Sequence, residues 1–233
     1  MSGLKFKYLI NNFHPEMLCG RQSEAGQDLF VIALTQGKRE GTFLEIGCND
    51  DYRENNTWLL EKLLGWSGVS MDLPGGAEYA KMWGMHRPNS QLITANATEY
   101  DYSILPDYFD YLQIDIAPPS ANLSVLTSVL KTQEFGLITY EHDAWDNNGE
   151  SQDARNIGRE LLEKAGYVMI AGDIALPVHR RFKPEFEIYF EDWWANPKYI
   201  DQAVIDAYRT EEKSDSLTFF YDVLFEATAS TRP

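Results

Sequence analysis

The stretch Thr42-Phe43-Leu44-Glu45-Ile46-Gly47-Cys48-Asn49-Asp50 constrains the fold of this chain more than any other. An apolar run ends in a carboxylate, a glycine and an asparagine, and a helix-like segment follows. That is the pattern of a first strand and its ligand-binding turn in an open α/β sheet. Phe43, Leu44 and Ile46 suit a strand buried on both faces. Gly47 permits tight backbone geometry or the close approach of a ligand. Asn49 is one of the few residue types besides glycine that tolerate a left-handed conformation. Such a turn presents backbone N–H groups and the Glu45 carboxylate at the carboxyl end of the strand. Read alone, the stretch also fits a buried strand with a tight turn.

The rest of the chain repeats the alternation of helix and strand. Residues 24–36 predict an amphipathic helix that stops at Gly37, with Gln27 and Asp28 either capping it locally or facing a cleft. After the first strand, Asn55-Asn56-Thr57 offers N-cap residues for a helix whose apolar face is Trp58, Leu59, Leu60, Leu63 and Leu64, closed by Gly65. Gly68–Asp72 predicts a second strand ending in a carboxylate, 25 residues past Gly47. In nucleotide-binding sheets an acidic side chain at that place accepts hydrogen bonds from ribose hydroxyls. Residues 75–86 are weakly helical. Gln91–Ala95 predicts a third strand, followed by Asn96 and Ala97, and Phe109–Asp115 a fourth. Ser120 or Asn122 would cap a helix running to about Leu130. Leu137–Asp143 predicts a fifth strand that ends in Glu141, His142 and Asp143. A helix over 152–165 and strands at Tyr167–Ala171 and Phe186–Phe190 follow. The last two strands should pair antiparallel, because no crossover helix separates them. His179-Arg180-Arg181 in the loop between them is solvated or steers an anionic group. Trp193-Trp194 either packs in the core or offers a sugar-stacking platform, and Tyr199–Tyr208 predicts a final helix.

These elements predict one α/β domain over residues 1–233: a mostly parallel seven-stranded sheet with helices on both faces. Residues 1–22 and 192–233 would be extensions. The formal net charge of −16 disfavours nucleic acid and anionic membrane as partners. No apolar run reaches the length of a membrane span, and Met1–Lys7 lacks the apolar region of a signal peptide. Cys19 and Cys48 make no disulfide framework, so a reducing cytoplasm is the expectation. The oligomeric state is left open, a homo-oligomer included.

Glu45, Asp72, Asp115 and Asp143 recur at predicted strand ends, and a parallel sheet delivers all those ends to one edge. The order Glu45-x-Gly47-x-Asn49, then Asp72, then Asn96-Ala97, then Asp115, resembles the Rossmann-like S-adenosylmethionine-dependent methyltransferases. Glu45-Ile46-Gly47-Cys48-Asn49, with Gln27-Asp28-Leu29-Phe30 ahead of it, is similar to the FkbM-type group over about Ser23 to Asp192. Asp51 stands where that group often has a further glycine, and Asn49 replaces the second glycine of the general pattern. Asp115-Ile116-Ala117 and His142-Asp143-Ala144-Trp145 resemble the metal-dependent macrocin-type sugar O-methyltransferases, with His142 in place of an aspartate. The resemblance implies that Glu45, Gly47 and Asn49 hold the methionine part of the cofactor. It implies that Asp72 binds the ribose and that Asn96 and Ala97 lie beside adenine. Asp115 or His142 would then be the base, with Asp143 orienting His142. Those three would alternatively share a divalent metal such as Mg²⁺ or Mn²⁺. The acceptor implied is a saccharide or small hydroxylated metabolite. A nucleotide-sugar or NAD-binding enzyme and a non-catalytic binding module are the competing readings.

Overall fold

The computed structural model describes residues 22–74, 77–146, 148–175 and 189–210. The chain runs α1 (Gln27–Leu34), β1 (Thr42–Ile46), α2 (Trp58–Leu64), β2 (Ser67–Asp72), α3 (Ala77–His86) and β3 (Ser90–Thr94). It continues through β4 (Tyr108–Ile114), α4 (Pro119–Val129), β5 (Glu134–Glu141), α5 (Gly149–Lys164), β6 (Val168–Ala175), β7 (Tyr189–Ala195) and α6 (Gln202–Tyr208). The strands form one sheet in the order β3-β2-β1-β4-β5-β7-β6. Strands β1 to β5 pair in parallel, and β7 lies antiparallel between β5 and β6. The seven-stranded, mostly parallel sheet is therefore the one predicted. Among the described residues no helix is long and apolar enough to cross a membrane.

Successive residues of each central strand face opposite cores. Phe43, Tyr111, Leu137 and Trp193 pack on one face with α1, α2 and α6. Leu44, Ile46, Leu112, Ile114, Ile138 and Tyr140 pack on the other with α4 and α5. Helix α5 is built for this position. Its buried residues Ser151, Ala154, Gly158 and Leu162 fall along one stripe, and the Asn148 side chain caps it by accepting from the Ser151 N–H at 2.9 Å. A Cβ on Gly158 would lie 2.5 Å from the Tyr140 ring, so the glycine is what lets that ring under the helix.

Three expectations shift in detail. Strand β7, described from Tyr189 on, runs five residues past the predicted end at Phe190 to Ala195, so Trp193 and Trp194 lie inside it, fully buried. Trp193 stacks on Phe30 with ring centroids 4.8 Å apart, which makes the pair core packing and excludes a stacking platform for sugars. The first turn of α2 is capped by Asn55 rather than by Thr57: Asn55 Oδ1 accepts from the N–H groups of Thr57 (3.0 Å) and Trp58 (2.8 Å). Asn122 does not cap α4; its Oδ1 accepts from the Ile116 N–H at 2.8 Å and so fixes the end of β4. His179-Arg180-Arg181 and Cys19 lie outside the described residues.

Candidate active site

The register of the sheet places the site. Ile46 pairs with Met71 on one side and with Ile114 on the other, and Ile114 pairs with Tyr140. The next residue on each strand is Asp72, Gly47, Asp115 or Glu141. These four therefore stand in one row at the carboxyl edge. A cavity of about 550 Å³ opens above them. Ligand cavities commonly measure about 300–1,000 Å³.

Gly47 has φ 85°, and a Cβ there would sit 1.7 Å from the carbonyl oxygen of Asp115. Its glycine is thus demanded by the protein's own backbone, whatever ligand binds. The turn then folds over β2. The Gly47 N–H donates to the Met71 carbonyl at 2.8 Å, and Asn49, at φ 51°, donates its N–H to Asp72 Oδ2 at 2.7 Å. Asp72 Oδ1 accepts from its neighbour Leu73 N–H at 2.7 Å. Asp51 is not at positive φ and needs no glycine. Its carboxylate pairs with His86 Nδ1, and its carbonyl accepts from Arg87 Nη1 at 3.2 Å.

Of the residues singled out in the sequence, Gly47, Asn49, Asp72, Asn96, Ala97 and Asp115 line the cavity. Gln27 takes the second role suggested for it: it lines the cavity, and its Oε1 accepts from the Ala25 N–H at 2.9 Å, ahead of α1, without capping the helix. Glu45, His142 and Asp143 are not in the wall.

Glu45 is buried under the turn. Its carboxylate accepts from Ser70 Oγ (2.6 Å), Thr57 Oγ1 (2.9 Å), the Asn56 N–H (3.2 Å) and Asn55 Nδ2 (3.3 Å). Burial raises its pKa, and nearby Arg87 is the largest opposing influence. Every donor lies in the loop after β1 or on β2, so Glu45 anchors that loop and does not itself face a ligand. Cys48 is likewise a buried side chain whose thiol is pushed up first by desolvation, then by the charges of Glu45 and Asp72, so it is no nucleophile.

His142 corrects the predicted catalytic and metal set. Strand β5 ends at Glu141, two residues earlier than predicted, and the chain then turns sharply. The N–H groups of His142 (2.7 Å) and Asp143 (3.0 Å) both donate to the Phe190 carbonyl, and Asp143 takes φ 50°. This turn buries the His142 ring completely, behind the cleft. His142 Nδ1 accepts from the Ala144 N–H at 3.2 Å, and Nε2 lies 3.4 Å from Asp192 Oδ1. Asp192, not Asp143, is its acidic neighbour, while Asp143 Oδ1 accepts from Trp145 Nε1 at 2.9 Å. Asp115, His142 and Asp143 therefore do not fit a shared metal. Among the described residues the histidine and acid ligand atoms that do gather are those of His142, Asp173 and Asp192. Two guanidinium groups already neutralise that cluster. Arg159 donates to Asp192 at 2.6 and 2.7 Å and to Asp173 at 2.9 Å, and Arg155 donates to Asp173 at 2.7 Å. Burial would raise the Asp192 pKa, but bonding from the Arg159 guanidinium carries it well below the usual range.

The position that β5 does place in the row is Glu141. Its carboxyl group is hydrogen-bonded to that of Asp115. Two carboxyl groups can share a hydrogen bond only if one holds a proton. Desolvation is the largest cause raising both pKa values, and Glu141 is driven far above the carboxylate range, with Asp115, Asp143 and Glu191 adding negative charge. Burial thus favours a proton on Glu141 beside Asp115, and the two groups titrate together. Glu24 and Glu54 complete the acidic wall. Sequence reasoning put Glu141 at the polar end of the fifth strand but outside the catalytic set, because the strand was drawn two residues too long; it read Glu24 as part of the first helix and Asn56 as an N-cap candidate, and passed over Glu54, in a loop without period.

The strand order and the antiparallel β7 make a Rossmann-like sheet, with the cavity at the carboxyl edge of β2, β1, β4 and β5. Similar folds occur among solved structures. An rRNA methylase from Streptococcus thermophilus is 11 % identical, with 72 % of this chain and 94 % of that chain covered and a TM-score of 0.49. A fibrillarin from Aeropyrum pernix, solved with natively bound S-adenosyl-L-methionine, is 14 % identical, with 75 % of each chain covered and a TM-score of 0.48. A TehB-like S-adenosylmethionine-dependent methyltransferase from Corynebacterium glutamicum is 10 % identical, with 73 % and 87 % covered and a TM-score of 0.46. No family model and no curated protein matches the sequence. The FkbM-type and macrocin-type resemblances therefore rest on their motifs alone.

Proposed function

We propose that this chain is an S-adenosylmethionine-dependent methyltransferase that acts on a hydroxyl oxygen of a small acceptor, saccharides included. The observation that carries this reading is the row Asp72, Gly47, Asp115 and Glu141 along the floor of one cavity. The donor set fits the cofactor. Asp72 offers carboxylate oxygens at the end of the second strand, where a ribose diol is held. Asn96 and Ala97 would lie against the adenine, and the Gly47–Asn49 turn would hold the methionine part. An acidic wall suits a ligand with a cationic sulfur. The loop that a pyrophosphate needs is absent, which favours this cofactor over NAD.

When bound, the cofactor supplies a methyl group already activated on a cationic sulfur. The protein's task is to orient the acceptor and to take its proton, because a hydroxyl is a weak nucleophile. The Asp115–Glu141 pair is placed for that. It keeps one negative charge in a desolvated site, which makes it a stronger base than a solvated carboxylate. The same wall repels a phosphate backbone, which weighs against a nucleic-acid acceptor.

The test is a thermal shift with S-adenosylhomocysteine beside NAD⁺. Saturation at about a hundred times the dissociation constant stabilises the fold by about 2.7 kcal/mol, a rise of about 5–10 °C for a domain of this size. A rise with S-adenosylhomocysteine alone supports the reading. A rise with NAD⁺ alone, or with neither, sinks it.

A further inference from the structure

The charge of the cavity is one-sided. Among its described lining residues are five carboxylates, Glu24, Glu54, Asp72, Asp115 and Glu141, and no lysine, arginine or histidine. Asp72 stands beside the Asn49 turn, at the place proposed for the ribose. Asp115 and Glu141 follow Asp72 along the row of strand ends, and Glu24 and Glu54 add to the wall from the segments before β1 and after it.

The shared proton on Asp115 and Glu141 removes one of the five negative charges. The cofactor removes one more, since its sulfonium and ammonium outweigh its carboxylate by one. Three negative charges remain in a cavity of about 550 Å³. A second observation points the same way. Asn56, 4 % exposed, lies in this wall, and its side-chain oxygen has no hydrogen-bond partner. An unpaired buried acceptor calls for an N–H or O–H donor from whatever fills the site.

A metal ion is the poorer occupant. It needs several ligand atoms converging on one point, and the described group that converges so closely is the arginine-filled His142–Asp173–Asp192 cluster behind the cleft. Dispersed carboxylates with an amide oxygen suit an organic ammonium group, which spreads its donors over several partners.

We infer that the acceptor is an amino alcohol of the amino-sugar kind. Its protonated amine is held by Glu24, Glu54 and Asn56 while its hydroxyl faces the Asp115–Glu141 pair. The inference rests on the methyltransferase reading and narrows its substrate class. The amine contributes binding and orientation. The hydroxyl gives its proton to the carboxyl pair, and its oxygen forms the new bond to the methyl carbon as the sulfur–methyl bond breaks, leaving S-adenosylhomocysteine.

Glucosamine, glucose and glucuronate separate the possibilities, since they differ in an ammonium, a neutral hydroxyl and a carboxylate. Each is titrated calorimetrically into protein saturated with S-adenosylhomocysteine, at low and at high salt. The expected result is glucosamine binding about tenfold or more tighter than glucose, weakened by salt. In a Glu24→Gln, Glu54→Gln variant that preference falls to about unity, and S-adenosylhomocysteine titration of the same variant checks that it is folded. Equal affinity for glucosamine and glucose (absence of binding by both included) overturns the inference, as does a preference for glucuronate. Saturable Mn²⁺ binding that displaces glucosamine overturns it in favour of a metal. Failure of S-adenosylhomocysteine to bind the wild type would bring down the methyltransferase reading and this inference together. Binding without amine preference removes the inference alone.

Discussion

Replacing Arg87 with methionine tests how the cofactor turn is held. Arg87 is fully buried behind the loop after β1. Its Nε donates to Glu61 Oε2 at 2.6 Å, Nη2 to Thr57 Oγ1 at 2.7 Å, and Nη1 to Asn55 Oδ1 at 3.0 Å and the Asp51 carbonyl at 3.2 Å. The guanidinium also lies over the Trp83 ring, 4.7 Å from its centroid. Methionine keeps much of the packing volume and removes every donor. Asn55 Oδ1 still accepts from Thr57 and Trp58, and Thr57 Oγ1 still donates to Glu45. The main cost is therefore the buried Glu61 carboxylate. Breaking a buried pair costs about 3–5 kcal/mol. Glu61 retains the Asn89 N–H at 3.1 Å and the Ser90 hydroxyl, which places the loss at the low end. About 3 kcal/mol corresponds to a Tm lower by about 6–12 °C. Urea unfolding and calorimetry measure it. Adding Glu61→Gln to the variant should restore most of the loss, because it removes the stranded charge. The same loop supplies Asn49, Glu54 and Asn56 to the cavity, so Arg87→Met should also weaken S-adenosylhomocysteine binding. A loss under about 1 kcal/mol, or no recovery with Glu61→Gln, refutes the reasoning.

The other expectations concern the cofactor, pH and metal. Asp72→Ala should raise the dissociation constant of S-adenosylhomocysteine about 10–150-fold, since hydrogen bonds to a charged group are worth about 1.5–3 kcal/mol; unchanged affinity by calorimetry would remove Asp72 from the ribose site. Glu191, buried on β7, has its pKa raised from 4.5 to about 8, chiefly by desolvation and against the opposing bond from Trp193 Nε1. The folded state therefore holds a proton that the unfolded state has lost between those values. The Glu191 contribution to stability falls as pH rises through this window, by on the order of 4–5 kcal/mol. Glu191→Gln should flatten that fall and be the more stable protein at about pH 8, and urea midpoints that keep the wild-type pH slope would contradict it. Methyl transfer should proceed equally in EDTA and in Mg²⁺ or Mn²⁺, because His142 turns away from Asp115. His142→Leu should lower unfolding free energy by about 1–3 kcal/mol without creating any metal dependence. Loss of turnover in EDTA, restored by metal, would contradict that.

The parts of this molecule that were legible in the sequence are those written in a period or a punctuation mark. Phe43 to Ile46 announced β1, Gly65 closed α2 at φ 71°, and Asp72 and Asp115 fell where carboxylates meet at a parallel edge. Glu45 shows the limit of that reasoning. It has the right residue type at the right strand, yet pleat alternation puts it on the Phe43 side, under a loop whose Asn55, Asn56 and Thr57 consume its oxygens. Nothing local in the sequence says whether a carboxylate at a strand end faces a ligand or an internal donor. That is decided by residues such as Ser70 and Arg87, which reach the site from other elements. His142 and Glu141 show the same limit in register. A two-residue error in where β5 stops exchanges a buried imidazole for a cavity carboxyl, because the bend at Asp143 depends on the Phe190 carbonyl of β7, almost fifty residues on. The fold depends on the summed pattern of many apolar positions and survives such errors. The chemistry depends on single side chains and does not. Hence the Asp115–Glu141 pair, half of it visible in the sequence and half not, is the feature on which the catalytic assignment turns: Glu141→Gln keeps the hydrogen bond to Asp115 while removing the shared proton's second carboxylate, and a methyltransferase that uses the pair as its base must then change its pH–rate profile rather than only its stability.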